Sequence, residues 1–162
     1  MTKTILLAVD AARDDPGEHV AAAAEMTRQL AIATGDDVVV LHVHEYATGR
    51  WGRAQVDCHE GAGESVLDQV VSGLRDAGIR VKGVIGSADY GHVARAILDA
   101  ADKYDARLIV LGSSSRTDLP LLPFGSVSNR LLHMAKRPVL ITPKNTMTVP
   151  APASEAAAAA TG

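Results

Sequence analysis

Five short apolar runs, separated by stretches of helical length and pattern, limit what this chain can fold into. They are TILLAV at 4–9, VVVLHV at 38–43, IRVKGVIG at 79–86, RLIVLG at 107–112 and PVLIT at 138–142. The first two and the fourth are continuous rather than alternating, which fits strands covered on both faces. VVVLHV is also rich in β-branched residues. IRVKGVIG alternates more and predicts a strand nearer a sheet edge. Between the runs the period changes to that of a helix. In DDPGEHVAAAAEMTRQLAIATG, Asp15 is placed to cap, Pro16 takes the first helical position, Glu18 follows three residues after the cap, and Gly35 marks the stop. Its inward stripe is Val20, Ala23, Ala24, Thr27, Leu30 and Ala31. A second helix is predicted near 61–77 with Val66, Val70, Leu74 and Ala77 inward and Gly78 as its stop, and a third near 90–104 with Val93, Ala94, Ile97, Ala101 and Tyr104 inward. A short fourth runs through SVSNRLLHMAK.

Strand and helix in alternation demand a parallel sheet, because parallel strands need crossovers and each crossover covers a face. The fold class is therefore α/β, a single doubly wound domain with a five-stranded parallel sheet and four helices. HEYATGRWGRAQVDCHE at 44–60 has no stable period, carries the only Trp, and is read as a long loop able to act as a lid. From Thr146 the composition shifts to alanine, proline and small residues, so the expected division is a domain over 1–145 and a flexible tail over 146–162.

Composition removes several function classes. A chain of 162 residues with 47% hydrophobic content suits one domain with a two-sided core. A net charge of −3 without a cluster of Lys or Arg leaves no footprint for nucleic acid or an anionic membrane, and 3% aromatics gives little material for a base-stacking platform. No segment reaches the roughly 20 apolar residues of a membrane span, and MTKTILLAVD lacks a cleavage site, so a cytoplasmic location is expected. The single Cys58 agrees with a reducing compartment and has no partner cysteine for an internal disulfide.

In an open parallel sheet, ligands bind beyond the carboxyl ends of the strands, where the strand order reverses. The residues there are Asp10, then Val43 and His44, Gly86 and Ser87, and Gly112 onward. Asp10 suits either a ribose hydroxyl or a helix cap. The stretch GSSSRTDLPLLPFGSVS at 112–128 has the ingredients for phosphate: Gly112 permits close backbone approach, Ser113 to Ser115 offer amides and hydroxyls, and Gly125–Ser128 places free amides at a helix start. Neither GxxxxGK[ST] nor GxGxxG is present, so this is not a P-loop enzyme or an ordinary dinucleotide binder. His42 and His44 share a strand face, and Cys58, His59 and Glu60 are adjacent, but no CxxC or HxxxH spacing supports a metal site. His92 and His133 fall on predicted helices and read as polar-face residues.

Gly112, two residues, Ser115, the nine residues RTDLPLLPF and then GSVS resemble the ATP-binding signature of the universal stress protein family, as do ILLAVD, VVVLHV, RLIVLGSSS and RPVLITP. The resemblance implies an adenine nucleotide alpha hydrolase-like sheet in the order 3-2-1-4-5, and a homodimer paired through the fifth strand, residues 139–142. It implies adenine and ribose against Ala8, Val9, Asp10, Val43, Leu111 and Gly112, with phosphates against Ser114, Ser115, Gly125, Ser126, Val127 and Ser128. The bound species would be ATP, with or without Mg²⁺, or another adenine nucleotide, in a stress-response module read by a regulatory protein partner. Ser115 stands where the signature has its second glycine; if that position needs a positive φ or bare backbone, serine costs about 1 kcal/mol or more. The rival expectation is a dimeric interaction module that binds no nucleotide. With no lysine in the loop and no positioned general base, catalysis is expected to be slow at most.

Overall fold

The computed structural model describes residues 2–10, 18–56, 61–113 and 125–143. Their elements are β1 (Thr4–Val9), α1 (Glu18–Thr34), β2 (Asp37–Gly49), β3 (Gly52–Gln55), α2 (Ala62–Asp76), β4 (Val81–Asp89), α3 (Val93–Lys103), β5 (Ala106–Gly112), α4 (Ser126–Met134) and β6 (Val139–Thr142). Five strands are parallel, in the order β4-β2-β1-β5-β6. Counted along those five, that is the expected 3-2-1-4-5. The sheet is mixed rather than purely parallel, because β3 adds a sixth, antiparallel strand to the end of β2. The expected lid over 44–60 is corrected accordingly: through Gln55 it is a β-hairpin, and 57–60 lie outside the described residues.

Alternation along each strand sorts its side chains between two cores. Ile5, Leu7, Val38, Val40 and Val110 pack under α1 and α2. Leu6, Val39, Leu41, Ile109 and Leu111 pack under α3 and α4. The α1 stripe is as expected, with Ala23 and Thr27 wholly buried. Its capping residues Asp15 and Pro16 lie outside the described residues. The α2 face is rotated by about one position from the expected one: Leu67, Val71 and Leu74 are buried, while Val66, Val70 and Ala77 are partly so. Gly35 and Gly78 follow α1 and α2 with φ of +72° and +79°, the left-handed turn that ends a helix at least cost in glycine. Among the described residues β4 pairs only with β2, which makes it the edge strand its pattern predicted.

The amino edge of the sheet is tied by one buried carboxylate. Asp36, between α1 and β2, accepts from the Lys3 backbone N–H (3.2 Å), the Thr34 hydroxyl (2.8 Å) and Arg107 Nε (2.6 Å). Burial alone raises its pKa, but the Thr34, Lys3 and Arg107 contacts outweigh burial and hold it below the usual carboxylate value. A depressed folded-state pKa contributes stability that is present above the unfolded pKa and is lost as pH falls through the folded one. Stability against urea should therefore fall as pH drops below about 4, with a shallower fall in Asp36→Asn; identical slopes would exclude Asp36 as a source. At pH 7 the same substitution should cost about 1–3 kcal/mol, because Arg107 and two donors lose a charged acceptor.

Candidate functional site

The expected site residues converge because the parallel register brings strand ends level. Val9 stands opposite His42, Ala8 opposite Leu111, and Gly112 opposite Thr142. Ala8, Val9, Leu111 and Gly112 thus share the carboxyl edge of β1 and β5, with exposed Asp10 one residue beyond and Val43 one residue beyond His42. From β1 the chain winds one way, through β2 to β4, and then crosses to β5 on the other side of β1. The gap between β1 and β5 is therefore where the strand order reverses, the place for a ligand in such sheets.

Along β2, Asp37 N–H donates to Lys3 and Glu45 C=O accepts from Val56, whereas Val38 N–H donates to Arg80 and Tyr46 C=O accepts from Tyr90 N–H. Odd residues of β2 therefore direct their backbone groups to the β1 side and even residues to β4. It follows that β3 lies on the same flank as β1, end to end with it. Between Val9 at the level of His42 and Val56 at Glu45, about 10 Å of strand flank is left uncovered by either strand, at ~3.3 Å per residue. Val43 lies on that stretch. The crevice is thus floored by β2, walled below by the end of β1 and above by the foot of β3.

Two helix starts face the crevice. α4 runs back from the carboxyl edge to the start of β6, so its N-terminus lies at the level of the β5 end. Among the described residues its first backbone bond is Asn129 N–H to Gly125 C=O (3.0 Å) and no side chain caps it, which leaves the amides of Ser126, Val127 and Ser128 ahead of that bond. Val127 packs against the core cluster containing Leu111 and Val43, and Ser128 is buried. On the other face the first turn of α1 crosses Gly112: a Cβ there would sit 2.3 Å from the His19 carbonyl oxygen. The close approach expected at Gly112 is present, but on that side the approaching group is the α1 backbone, so the bare Cα serves helix packing.

Sequence reasoning missed the supports around the edge. His42 is buried, and its Nδ1 lies 3.2 Å from the Val9 carbonyl oxygen, which can only accept, so that nitrogen carries the proton. The imidazole is pressed against Gly63, where a Cβ would fall 2.0 Å from Nε2. His44 stacks edge-on against it at 4.9 Å, takes the Gln55 amide at 2.9 Å and faces Glu64 at 3.4 Å. On the opposite face Gly91, after β4, donates its N–H to Glu45 (2.5 Å) and receives Arg130 of α4 at its carbonyl. The only signal available in sequence was the pairing of a buried-strand His with a glycine, which becomes visible only when α2 is laid over β2. Gly86 and Ser87 are inside β4, and His44 is inside β2, rather than beyond strand ends. His92 and His133 are exposed on α3's cap and on α4. Ser114, Ser115, Cys58, His59, Glu60 and Arg116 lie outside the described residues. No cluster of three metal-ligating side chains occurs among the described residues.

Fold and crevice define a doubly wound α/β protein of the kind that takes its ligand at the carboxyl edge of a parallel sheet. Within that class the chain belongs to the Universal stress protein family, whose sequence profile matches residues 1–143. Among solved structures, a universal stress protein from Archaeoglobus fulgidus is 25% identical with a TM-score of 0.68, over 87% of this chain and 98% of that one. A universal stress protein from Archaeoglobus fulgidus in complex with dAMP is 24% identical with a TM-score of 0.63, over 86% and 96% of the two chains. A universal stress protein in complex with cAMP shares 16% identity and a TM-score of 0.64, over 88% and 98%. These last two are likenesses of fold. Among proteins with curated descriptions, no sequence matches this chain. No described helix is long and apolar enough to cross a membrane.

Proposed function

We propose that this protein binds ATP, with or without Mg²⁺, or another adenine nucleotide, and acts as a cytoplasmic regulatory module in stress response. The observation that carries the reading is the convergence of an exposed carboxylate, a strand flank and a helix start on one crevice. Asp10 supplies an acceptor suited to ribose hydroxyls, Val43 presents a strand flank suited to the edge of a planar base, and Gly125–Ser128 supplies amides suited to phosphate. Ala8, Val9, Leu111 and Gly112 border the crevice at the ends of β1 and β5, and Ser114 and Ser115, outside the described residues, are assigned to the phosphates by the family signature. Two solved relatives of the same fold are complexes with adenine nucleotides, dAMP and cAMP. The rest of the assignment follows the family pattern: a domain over 1–145, a tail over 146–162, a homodimer paired through β6, whose described neighbour is β5 alone, and a regulatory protein partner.

Calorimetric titration with ATP, with and without Mg²⁺, tests this. Gly125 has φ −62° and ψ 166°, a conformation open to any residue, so Gly125→Val reads the space beside the phosphate rather than backbone strain. It should weaken binding at least tenfold, and Ser126→Ala less. Ligand at a hundredfold excess over Kd should raise stability by about 2.7 kcal/mol, seen as a shifted melting curve. Absence of heat and of any thermal shift at millimolar ATP would sink the nucleotide reading and favour the interaction module. Tighter binding in Ser115→Gly would show that the serine restrains the site.

A further inference from the structure

Two histidines stand side by side on one face of β2 and hold their protons on opposite nitrogens. His42 donates from Nδ1 to the Val9 carbonyl. His44, whose side chain is only 12% exposed, has the Gln55 amide nitrogen 2.9 Å from Nδ1 and a Glu64 carboxylate oxygen 3.4 Å from Nε2. An amide nitrogen can only donate and an ionised carboxylate can only accept. In this arrangement Nδ1 of His44 is the bare nitrogen, Nε2 carries the proton, and the ring is neutral. The three partners come from three elements. His44 lies inside β2, Gln55 ends β3, and Glu64 is in the first turn of α2, where the helix start favours its negative charge. That turn is a fixed post, because Gly63 is pressed against the His42 ring, which stands edge-on to His44 at 4.9 Å. Val56, next to Gln55, donates its N–H to the Glu45 carbonyl at the foot of β3. The His44 imidazole is thus a pin between the upper wall of the crevice and α2.

A proton added at Nδ1 changes this pin in a defined way. Nδ1 becomes a donor, and the Gln55 amide turns by half a rotation to present its oxygen. The amide has a donor end and an acceptor end of nearly equal size, so neither partner is lost. The bonds to Gln55 and Glu64 both become charge-assisted, a class about twice as strong as the neutral one. The other groups around the ring are His42 and Tyr46 on β2, Ser87 opposite it on β4, Arg53 on β3, and Asp68 one turn beyond Glu64 on α2. Asp10 is the nearest described residue past the end of β1, and Cys58, His59 and Glu60, between β3 and α2, lie outside the described residues. Arg53 is already held by Asp89 and the Tyr46 ring. Histidine is the side chain whose ordinary charge change falls between pH 5 and 8. Of the two histidines, His42 has Gly63 at its second nitrogen and His44 has a carboxylate.

We propose that His44 is a proton-operated latch: its charging fastens β3 to α2 and stiffens the upper wall of the crevice, and its discharge loosens the hairpin. The fastening is strongest below the histidine range and weakens as pH rises through it. The latch belongs to the hairpin and stands whether or not nucleotide binds.

The test is NMR of the full chain between pH 8 and pH 5.5, a range clear of the acid loosening expected at Asp36. The protection factor of the Val56 amide, corrected for its intrinsic exchange rate, should rise about threefold or more on acidification. The side-chain amide signals of Gln55 should move in step with the His44 Cε1 proton. His44→Phe keeps a ring against His42 but has no nitrogen, and its Val56 protection should not change with pH. Gln55→Met, at an exposed position, leaves His44 free to charge beside Glu64 but unpins β3, and it should abolish the pH response equally. Circular dichroism checks that each variant folds, and Gln55→Met decides the matter alone if His44→Phe does not. The proposal is overturned if wild-type Val56 protection is the same at both ends of the range. It is equally overturned if Gln55→Met responds to pH as the wild type does, or if the Gln55 amide does not follow His44.

Discussion

Gly112→Ala is expected to cost about 3 kcal/mol or more and to displace the first turn of α1 from the sheet. The new methyl would lie 2.3 Å from the His19 carbonyl oxygen and 2.7 Å from its carbonyl carbon, well inside any tolerable contact. Those are main-chain atoms at the start of a seventeen-residue helix, so no rotamer change relieves the overlap. The consequence is specific. His19→Ala leaves the carbonyl where it is and should not rescue Gly112→Ala, and urea unfolding of the single and double variants decides this. Because Gly112 also stands at the end of β5 beside the crevice, the nucleotide affinity proposed above should fall with the helix displacement, whereas a loss of stability with unchanged affinity would separate the two roles.

Gly63→Ala should be nearly as severe and should behave in the opposite way in a double-variant test. Here the methyl would meet a side chain, the His42 imidazole, at 2.0 Å from Nε2 and 2.2 Å from Cε1. The ring is buried and has to leave its place, losing its bond to the Val9 carbonyl, for a combined cost of about 3 kcal/mol. Removing the ring removes the clash. His42→Ala should therefore recover much of the loss in the Gly63→Ala background, giving a coupling energy of the sign and size seen for residues in contact. Simple additivity of the two changes would show that Gly63 is needed for something other than His42.

Much of the architecture was legible because period is a local property. Continuous apolar runs such as RLIVLG and helical stripes such as Val20, Ala23, Thr27 and Ala31 are read without knowing their partners, and they gave the five parallel strands, whereas the order of those strands came only from the family resemblance. The hairpin was not legible for a physical reason: all four β3 residues are exposed, so burial left no mark on their sequence. The α2 face was misread by one position because Val66, Val70 and Leu74 make one apolar diagonal and Leu67, Val71 and Leu74 make another. Only the crowding of His42 against Gly63 and of Val71 and Leu67 against Gly83 reveals which is deeper. Gly112 was legible as a place of close backbone approach, but the identity of the approaching group is a long-range fact. The same holds for Glu45 and Arg130, which meet at Gly91 from elements far apart in sequence.

The Asp36 tie and the crevice sit at opposite ends of the same strands. Amide hydrogen exchange should register this polarity as two populations of opening events. Protons near Lys3, Thr34 and Arg107 belong to a patch held by one carboxylate, and mild acid should release them early by loosening that end. Protons of the central β1, β2 and β5 ladders should wait for global unfolding. The protein can therefore fray at its base while the rim on which a ligand would rest keeps its shape.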